Sequence, residues 1–536
     1  MFGAGGGTSS YEEIETTDLI ILWGSNAREA HPIFFHHILK GVRRGAMMYA
    51  VDPRLTASAR WADTWLGIDV GTDIALANAV GREIIAAGLV NDEFVGRATS
   101  GFDDYAAAVD PWTLERAAEV TGVPAAEIAA LAHDYASAET AQLCWTLGIT
   151  EHHNATDNVL ALISLALLTG HVGRYGSGLV PIRGQNNVQG GGDMGALPNK
   201  LPGFQDVADD DLRGKFEAAW GHEVPAQPGW HISLMFEAME RGDLTCLYVV
   251  GENPVRSEAD AGKVTGLLDG LDFLVVQDMY LTATAELADV VLPAAANWVE
   301  AAGTVTSSER RVQLVRKAVE PPGEAMDDIE IIATLAGRLG HNWGVPTAEE
   351  LWDELRSLSP LHGGMSYQRL ADHGGIQWPC PTDDHPGTLF LHGWLWEDPL
   401  TRDPAPFIPT EWAPPVDELT AEFPIRLTTG RRLDSYNTGE QSNRFSSPIR
   451  AGGIIEISAD DAESLGIAEG AEVRITSRRG SITAPAHTSP SLRPGLAFMA
   501  LHFPEEADVN QLTIDAWDPK SGTAEFKATA VRIERT

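Results

Sequence analysis

The chain has 536 residues, 44% hydrophobic and 21% charged, with a formal net charge of −38 at pH 7. That length exceeds what one hydrophobic core holds and predicts two to four domains of an ordinary globular protein. The acidity argues against nucleic acid as a partner, because phosphates need a basic footprint.

The first apolar run, Leu19-Ile20-Ile21-Leu22-Trp23, closes on Gly24-Ser25-Asn26 and is followed by a helical stretch. A second apolar run ends in Val51-Asp52, with Thr56-Ala57 and Ala62-Asp63 beyond it. Strand, tight turn, helix and strand ending in a carboxylate is the expected order. Gly71-Thr72-Asp73 caps a helix over 73–87, where Ile74, Leu76, Ala77, Val80, Ile84 and Ile85 keep helical spacing. A further helix over 123–137 is entered through Pro124. The longest apolar run, 159–169, is far short of the roughly 20 residues of a membrane span. No signal peptide is visible. Residues 1–178 thus predict a doubly wound α/β domain.

Residues 179–397 predict a second α/β domain, opened by the string Pro181-Ile182-Arg183-Gly184-Gln185-Asn186-Asn187-Val188-Gln189-Gly190-Gly191-Gly192-Asp193-Met194-Gly195. Its glycines let backbone approach a ligand, and its amides donate and accept. Its sole cation, Arg183, offers a planar fork to a carboxylate or similar oxyanion. The same string also reads as an irregular loop whose amides satisfy its own backbone. Further on, Leu247-Tyr248-Val249-Val250 meets Gly251-Glu252-Asn253, the next run ends in Gln277-Asp278, and Thr282-Ala283 and Ala288-Asp289 follow. This repeats the first pattern. Gly24 to Asp52 is 28 positions and Gly251 to Asp278 is 27, while Asp52 to Asp63 and Asp278 to Asp289 are both 11. A helix N-terminus after such a turn presents free N–H groups to a phosphate, and the acid at the next strand end can accept from a sugar or base. Such turns also occur in sheets that bind nothing, and neither copy has the full Gly-x-Gly-x-x-Gly fingerprint. The matched spacing favours binding of two nucleotides.

Residues 398–424 are proline-rich and predict a linker. From 425 to 536, short strands over 425–427, 454–457, 473–476, 481–484 and 528–533 predict a small β-barrel. Thr429-Gly430-Arg431-Arg432 and Tyr436-Asn437-Thr438-Gly439 could close over a ligand or simply be barrel turns. The pairs His36-His37 and His152-His153 cannot each chelate one ion, since adjacent side chains diverge, so structural roles are expected. Asp206 and Asp209-Asp210-Asp211 read as solvated surface rather than a cation site. Cys144, Cys246 and Cys380 stand far apart with no Cys-x-x-Cys pair. Neither a four-thiolate cluster nor a disulfide framework is expected of the chain alone, which suits a cytoplasmic setting.

Gly24-Ser25-Asn26, Val51-Asp52-Pro53-Arg54, Gly71-Thr72-Asp73, Gly148-Ile149-Thr150-Glu151, the Arg183 to Gly190 string, Gly251-Glu252-Asn253-Pro254, Gln277-Asp278, Leu292-Pro293 and Ile376-Gln377-Trp378-Pro379-Cys380 occur in this order. In that order they resemble the large subunits of molybdopterin-dependent formate dehydrogenases, members of the DMSO reductase family. The resemblance covers essentially the whole chain. It implies two Rossmann-like α/β domains with parallel sheets plus a C-terminal double-psi-type β-barrel. It also implies one molybdenum or tungsten atom between two molybdopterin guanine dinucleotides. By the resemblance, the unit with Gly24, Asn26, Asp52 and Asp73 holds one dinucleotide, and the unit with Gly251, Asn253 and Asp278 holds the other. Ser25, Arg54, Gly71, Gly148, Gly184 and Asn187 are further cofactor-binding positions. The barrel, with Gly430, Arg431 and Asn437, closes over both pterins. Arg183 matches the family's active-site arginine, expected to hold the formate carboxylate, with Gln185 its orienting neighbour.

The reaction so implied is two-electron oxidation of formate to CO2, the electrons passing through an iron–sulfur chain to iron–sulfur or flavin subunits. Alternatives are a relative acting on another small oxyanion and a noncatalytic protein that stores the cofactor. A plain NAD-dependent dehydrogenase would instead carry one nucleotide per chain. Family members begin with a domain holding a [4Fe-4S] cluster, followed by a metal-ligating Cys or selenocysteine and its adjoining His. Met1-Phe2-Gly3-Ala4-Gly5 resembles sequence just past that point. The expectation is therefore a chain inactive alone, its front omitted from the gene assignment, supplied as a separate polypeptide or absent.

Overall fold

In the computed structural model, which describes residues 1–444 and 449–536, Leu19–Trp23 (β1) is the middle strand of a five-stranded parallel sheet. Around it stand Met47–Val51 (β2), Thr64–Leu66 (β3), Ala141–Trp145 (β4) and Gly178–Pro181 (β5), in the order β3-β2-β1-β4-β5. Alternation along β1 serves two cores. Leu19, Ile21 and Trp23 share one core with Leu76, Val80, Leu165 and Leu168 from the helices Asp73–Ala86 and Ala155–Thr169. Ile20 and Leu22 share the other with Phe34, Phe35 and Ile38 of the helix Pro32–Arg44. Every residue of β1 is buried because both faces are covered. Among the described residues, no helix is long and apolar enough to cross a membrane.

The chain divides into two units. One comprises Met1–Ile182, Arg256–Val264 and Phe390–Thr536, and the other comprises Arg183–Val255 and Thr265–Leu389. In the second unit, Cys246–Val250 (β6), Phe273–Asp278 (β7) and Val290–Pro293 (β8) form a three-stranded parallel sheet in the order β8-β7-β6. Beside them, 303–306, 311–315 and 376–377 form an antiparallel sheet.

Within the first unit, the proline-rich stretch is docked along its length. Ala405–Pro406 pairs with Thr99–Ser100. Asn78 Nδ2 donates to Thr410 O at 3.1 Å, and Trp412 Nε1 to Gly71 O at 2.9 Å. Asp417, 2% exposed, pairs with Arg478 and Arg479 and accepts from Ala530 N at 2.8 Å. Proline density removes backbone donors, but the aromatic and carboxylate side chains in between anchor the strap. It leads into a closed barrel of Ile425–Gly430 (β9), Ile455–Ile457 (β10), Glu472–Thr476 (β11), Ser481–Thr488 (β12), Leu496–Ala500 (β13) and Thr529–Arg535 (β14). The strands run β9-β13-β10-β12-β11-β14 around the barrel. The pairs β9–β13 and β10–β12 are parallel and the remaining contacts antiparallel, as in the double-psi-type barrel expected. Alternation in β12 points Ile482, Ala484 and Ala486 inward. Strand β13, buried throughout, has no alternation to betray it.

Candidate functional site

The two repeats fold into the same local structure, contact for contact, each within its own unit. Gly24 and Gly251 have φ of +59° and +66°, a conformation glycine adopts cheaply. Gly24 N donates to Val51 O and Gly251 N to Gln277 O, both at 2.8 Å. Asn26 Oδ1 accepts from Ser58 N at 3.3 Å and Ser58 Oγ at 2.9 Å. Asn253 Oδ1 accepts from Thr284 N at 3.1 Å and Thr284 Oγ1 at 2.8 Å. The same hydroxyls accept from Arg28 N and Val255 N, at 2.8 and 3.2 Å. Asp52 Oδ1 and Asp278 Oδ1 accept from Arg54 N and Tyr280 N, both at 2.9 Å. Thr56 and Thr282 cap Ala59 N and Ala285 N, both at 3.1 Å. Asp63 and Asp289 accept from Met48 N and Leu274 N, both at 2.8 Å. Each asparagine therefore ties the turn after the first strand to the loop after the second, giving a stiff rim at the carboxyl ends of the strands.

Two buried polar atoms on these rims have no hydrogen-bond partner: Ser25 Oγ and Asn253 Nδ2. Both lie in the Gly-x-Asn turns, where a bound nucleotide would meet protein, and an orphaned buried group otherwise costs stability. Asn26 Nδ2, in contrast, donates to Glu29 at 2.9 Å. These turns fit a nucleotide-bearing ligand. Burial pushes Asp52 up to about 6 although Arg54 pulls the other way.

Around the first rim, Gly148 N donates to Gly24 O at 3.2 Å, and a Cβ on Gly148 would lie 2.5 Å from that oxygen. Asp73, 6% exposed, accepts from Trp23 Nε1 at 2.9 Å. His152 lies between Gly148 O at 3.1 Å and Glu525 Oε2 at 3.2 Å. Lys527 pairs with Glu151 at 2.6 Å and donates to Thr429 O at 3.1 Å. Arg54 stacks over Phe498, 3.5 Å from its centroid, and a Cβ on Gly430 would meet that same ring at 3.1 Å. Arg431 donates to Asn437 Oδ1, and burial lowers the pKa of Arg431. Thus Gly24 adjoins Gly148, Asp73 bonds the neighbouring Trp23, Arg54 adjoins Gly430, and Arg431 adjoins Asn437. Gly71, with φ +80°, sits under Pro415.

In the second unit, Arg183 is clasped to Ser308, its N donating to Oγ at 3.0 Å and its carbonyl accepting at 3.2 Å. Its Nε donates to Gln189 Oε1 at 3.1 Å, and burial lowers its pKa while Asp193 opposes that. Asn187, with φ +61°, accepts from Thr306 N at 2.8 Å. Gly184 is half-buried and Gln185 exposed.

His37 pairs with Glu15 at 2.7 Å, and His152 with Glu525 at 3.2 Å. Asp209 caps the helix Asp210–Trp220 and Asp206 binds Lys200. Sequence reasoning passed over Ser58, Thr284, Arg310, Lys527 and Glu525. For the first two a signal existed, because both follow the strand-end aspartate by 6 positions.

Residues 4–338 match the family described as "Molybdopterin oxidoreductase", and residues 425–530 match "Molydopterin dinucleotide binding domain". The chain is 41% identical to the F420-dependent formate dehydrogenase 2 subunit alpha of Methanococcus maripaludis, over all of this chain and 79% of the relative. It is 36% identical to formate dehydrogenase H of Escherichia coli, over 99% of this chain and 75% of that protein. Among solved structures, acetylene hydratase from Pelobacter acetylenicus superposes with a TM-score of 0.75 at 20% identity, over 100% of this chain and 80% of the other. That likeness concerns the fold.

Proposed function

The chain belongs to the molybdopterin oxidoreductase family, and we propose that it is the cofactor-holding body of an enzyme that oxidises formate to CO2. The observation that carries this reading is the repeated hydrogen-bond pattern of two Gly-x-Asn turns, one per unit, each with an orphaned polar atom on its rim. Two such turns call for two dinucleotides, which disfavours a one-nucleotide NAD enzyme. Gly24, Ser25, Asn26, Asp52, Arg54, Gly71, Asp73 and Gly148 hold one guanine dinucleotide. Gly184, Asn187, Gly251, Asn253 and Asp278 hold the other. Gly430, Arg431 and Asn437 cover pterin. The similarity to formate dehydrogenases at 36–41% identity supports the substrate.

When bound, the molybdenum or tungsten centre supplies the two-electron sink. The residues of this chain bind and orient. Arg183 offers its fork to the planar carboxylate of formate, and Gln185 borders it; a fixed guanidinium presents its donors without reorganisation. The orphaned Ser25 and Asn253 atoms find partners on the dinucleotides. Of the three free cysteines, Cys144 and Cys380 are wholly buried, and Cys246 starts strand β6. Iron–sulfur or flavin subunits take the electrons, and the setting is cytoplasmic.

The test uses the complex assembled with a family front segment. It should release two guanine nucleotides per chain on acid treatment and reduce a viologen dye with formate, but not oxidise the reduced dye with nitrate. One nucleotide per chain, or the opposite dye result, rejects the reading. The chain expressed without that segment should bind nucleotide yet show no formate turnover.

A further inference from the structure

Behind Arg183 runs a line of hydrogen bonds whose members all lie in the second unit. Arg183 Nε donates to Gln189 Oε1 at 3.1 Å, Gln189 Nε2 donates to Asp193 Oδ1 at 2.9 Å, and Trp378 Nε1 donates to Asp193 Oδ2 at 2.8 Å. Gln189 and Asp193 stand four apart in the helix Val188–Asp193 and so share a face. Gln189 is 2% exposed, Asp193 0% and Trp378 1%. At the far end, the fully buried Arg310 donates to the Trp378 carbonyl, to Thr388 O at 3.0 Å and to Leu389 O at 2.7 Å.

A buried carboxylate is costly unless its oxygens are bonded. Here each oxygen meets one N–H donor, and the donor–acceptor order is fixed along the line. An amide at position 189 must present oxygen to Arg183 because its nitrogen is held by Asp193. The bond from Nε to Gln189 lies in the guanidinium plane, so it helps to set that plane and the direction in which the Nη edge faces.

We propose that Gln189, Asp193 and Trp378 are positioning residues that set the guanidinium plane of Arg183 toward the substrate carboxylate. The proposal rests on the reading of Arg183 as the substrate-holding group.

The test is a polarity swap in the assembled, cofactor-loaded complex. Asp193→Asn alone sets nitrogen against nitrogen at one end of the line. It should raise KM for formate and the inhibition constant for nitrate together, about tenfold, with a smaller change in kcat. In Gln189→Glu/Asp193→Asn every donor again meets an acceptor: Arg183 Nε to Glu, Asn to Glu, and Trp378 Nε1 to Asn. Both constants should return to within about threefold of wild type. Trp378→Phe, which keeps the ring and removes one donor, should shift both constants in the same direction as Asp193→Asn. Hydrogen exchange of the 183–195 peptide should accelerate in the single variant and recover in the double.

A double variant no better than the single, or a single variant indistinguishable from wild type, overturns the proposal. Arg183→Ala separates the two levels of argument. If it abolishes formate binding while Asp193→Asn is silent, the positioning role fails and the substrate reading stands. If Arg183→Ala leaves KM unchanged, the substrate reading fails and the positioning role falls with it, whatever the exchange data show.

Discussion

Gly24 and Gly148 touch backbone to backbone: a Cβ on Gly24 would sit 2.8 Å from the carbonyl carbon of Gly148. The strand-end turn is thereby wedged against the segment that follows β4, whose Thr146 Oγ1 donates to Gly24 O at 2.8 Å. At the equivalent Gly251, with φ +66°, nothing lies within 4 Å of an added Cβ. The two turns share a conformation but differ in crowding. Gly251→Ala should lose only the left-handed preference, about 1–2 kcal/mol. Gly24→Ala adds a backbone clash and should lose about 3 kcal/mol or more. Thermal unfolding of both variants checks the order, and equal losses would show that the contact between Gly24 and Gly148 is not rigid.

Asn253 has two jobs on one side chain. Its oxygen staples Thr284, and its nitrogen is orphaned and buried. Asn253→Asp keeps the acceptor and removes the donor. It leaves one carboxylate oxygen buried without a donor, so it should lose about 1–3 kcal/mol of stability and bind its dinucleotide about tenfold more weakly. Released guanine nucleotide should fall from two per chain toward one. Full occupancy in Asn253→Asp would mean that the nitrogen meets no ligand.

Strand periodicity, the Gly-x-Asn turns and the carboxylate at each following strand end are local signals, so both strand–turn–strand units were legible in sequence. The staples were half legible, since Ser58 and Thr284 lie at equal offsets but differ in residue type. Pairing over long range was not. Nothing near His152 announces Glu525, 373 positions away, as its partner. The all-buried strand β13 shows only a short apolar run, ambiguous between helix and strand. Proline density suggested a linker over 398–424 but not its anchoring through Trp412 and Asp417. Composition reports missing backbone donors and is blind to side-chain anchoring.

The pair of His152 and Glu525 makes the first cradle sensitive to pH. Burial works against the imidazolium of His152, but the Glu525 carboxylate outweighs it, and the pKa of His152 is raised above its usual 6.5. Burial likewise opposes the Glu525 carboxylate, yet His152 and His153 hold its pKa well below the usual carboxylate range. The raised imidazole contributes stability that is full below about pH 6.5 and fades as pH climbs through its folded value. The depressed carboxylate contributes stability that is present above about pH 4.5 and fades in acid. The gap in thermal midpoint between wild type and Glu525→Gln should therefore be widest near about pH 6 and narrow toward about pH 9. A gap that stays constant from about pH 6 to about pH 9 would mean that His152 is neutral throughout.

Arg183 carries the chemistry of the proposed substrate site, and its substitutions separate charge from geometry. Arg183→Ala removes a charge-assisted contact to the formate carboxylate, costing at least about 1.5–3 kcal/mol, or roughly 10- to 150-fold in kcat/KM. Arg183→Lys restores the charge without the planar fork and cannot present two parallel donors. It should recover only part of the loss. The backbone clasp to Ser308 does not involve the guanidinium, so neither change should release the metal or either dinucleotide. Steady-state kinetics with formate, alongside metal and guanine content of the same preparations, checks this. A kcat/KM for Arg183→Ala equal to wild type, at full metal loading, would remove this arginine from substrate binding.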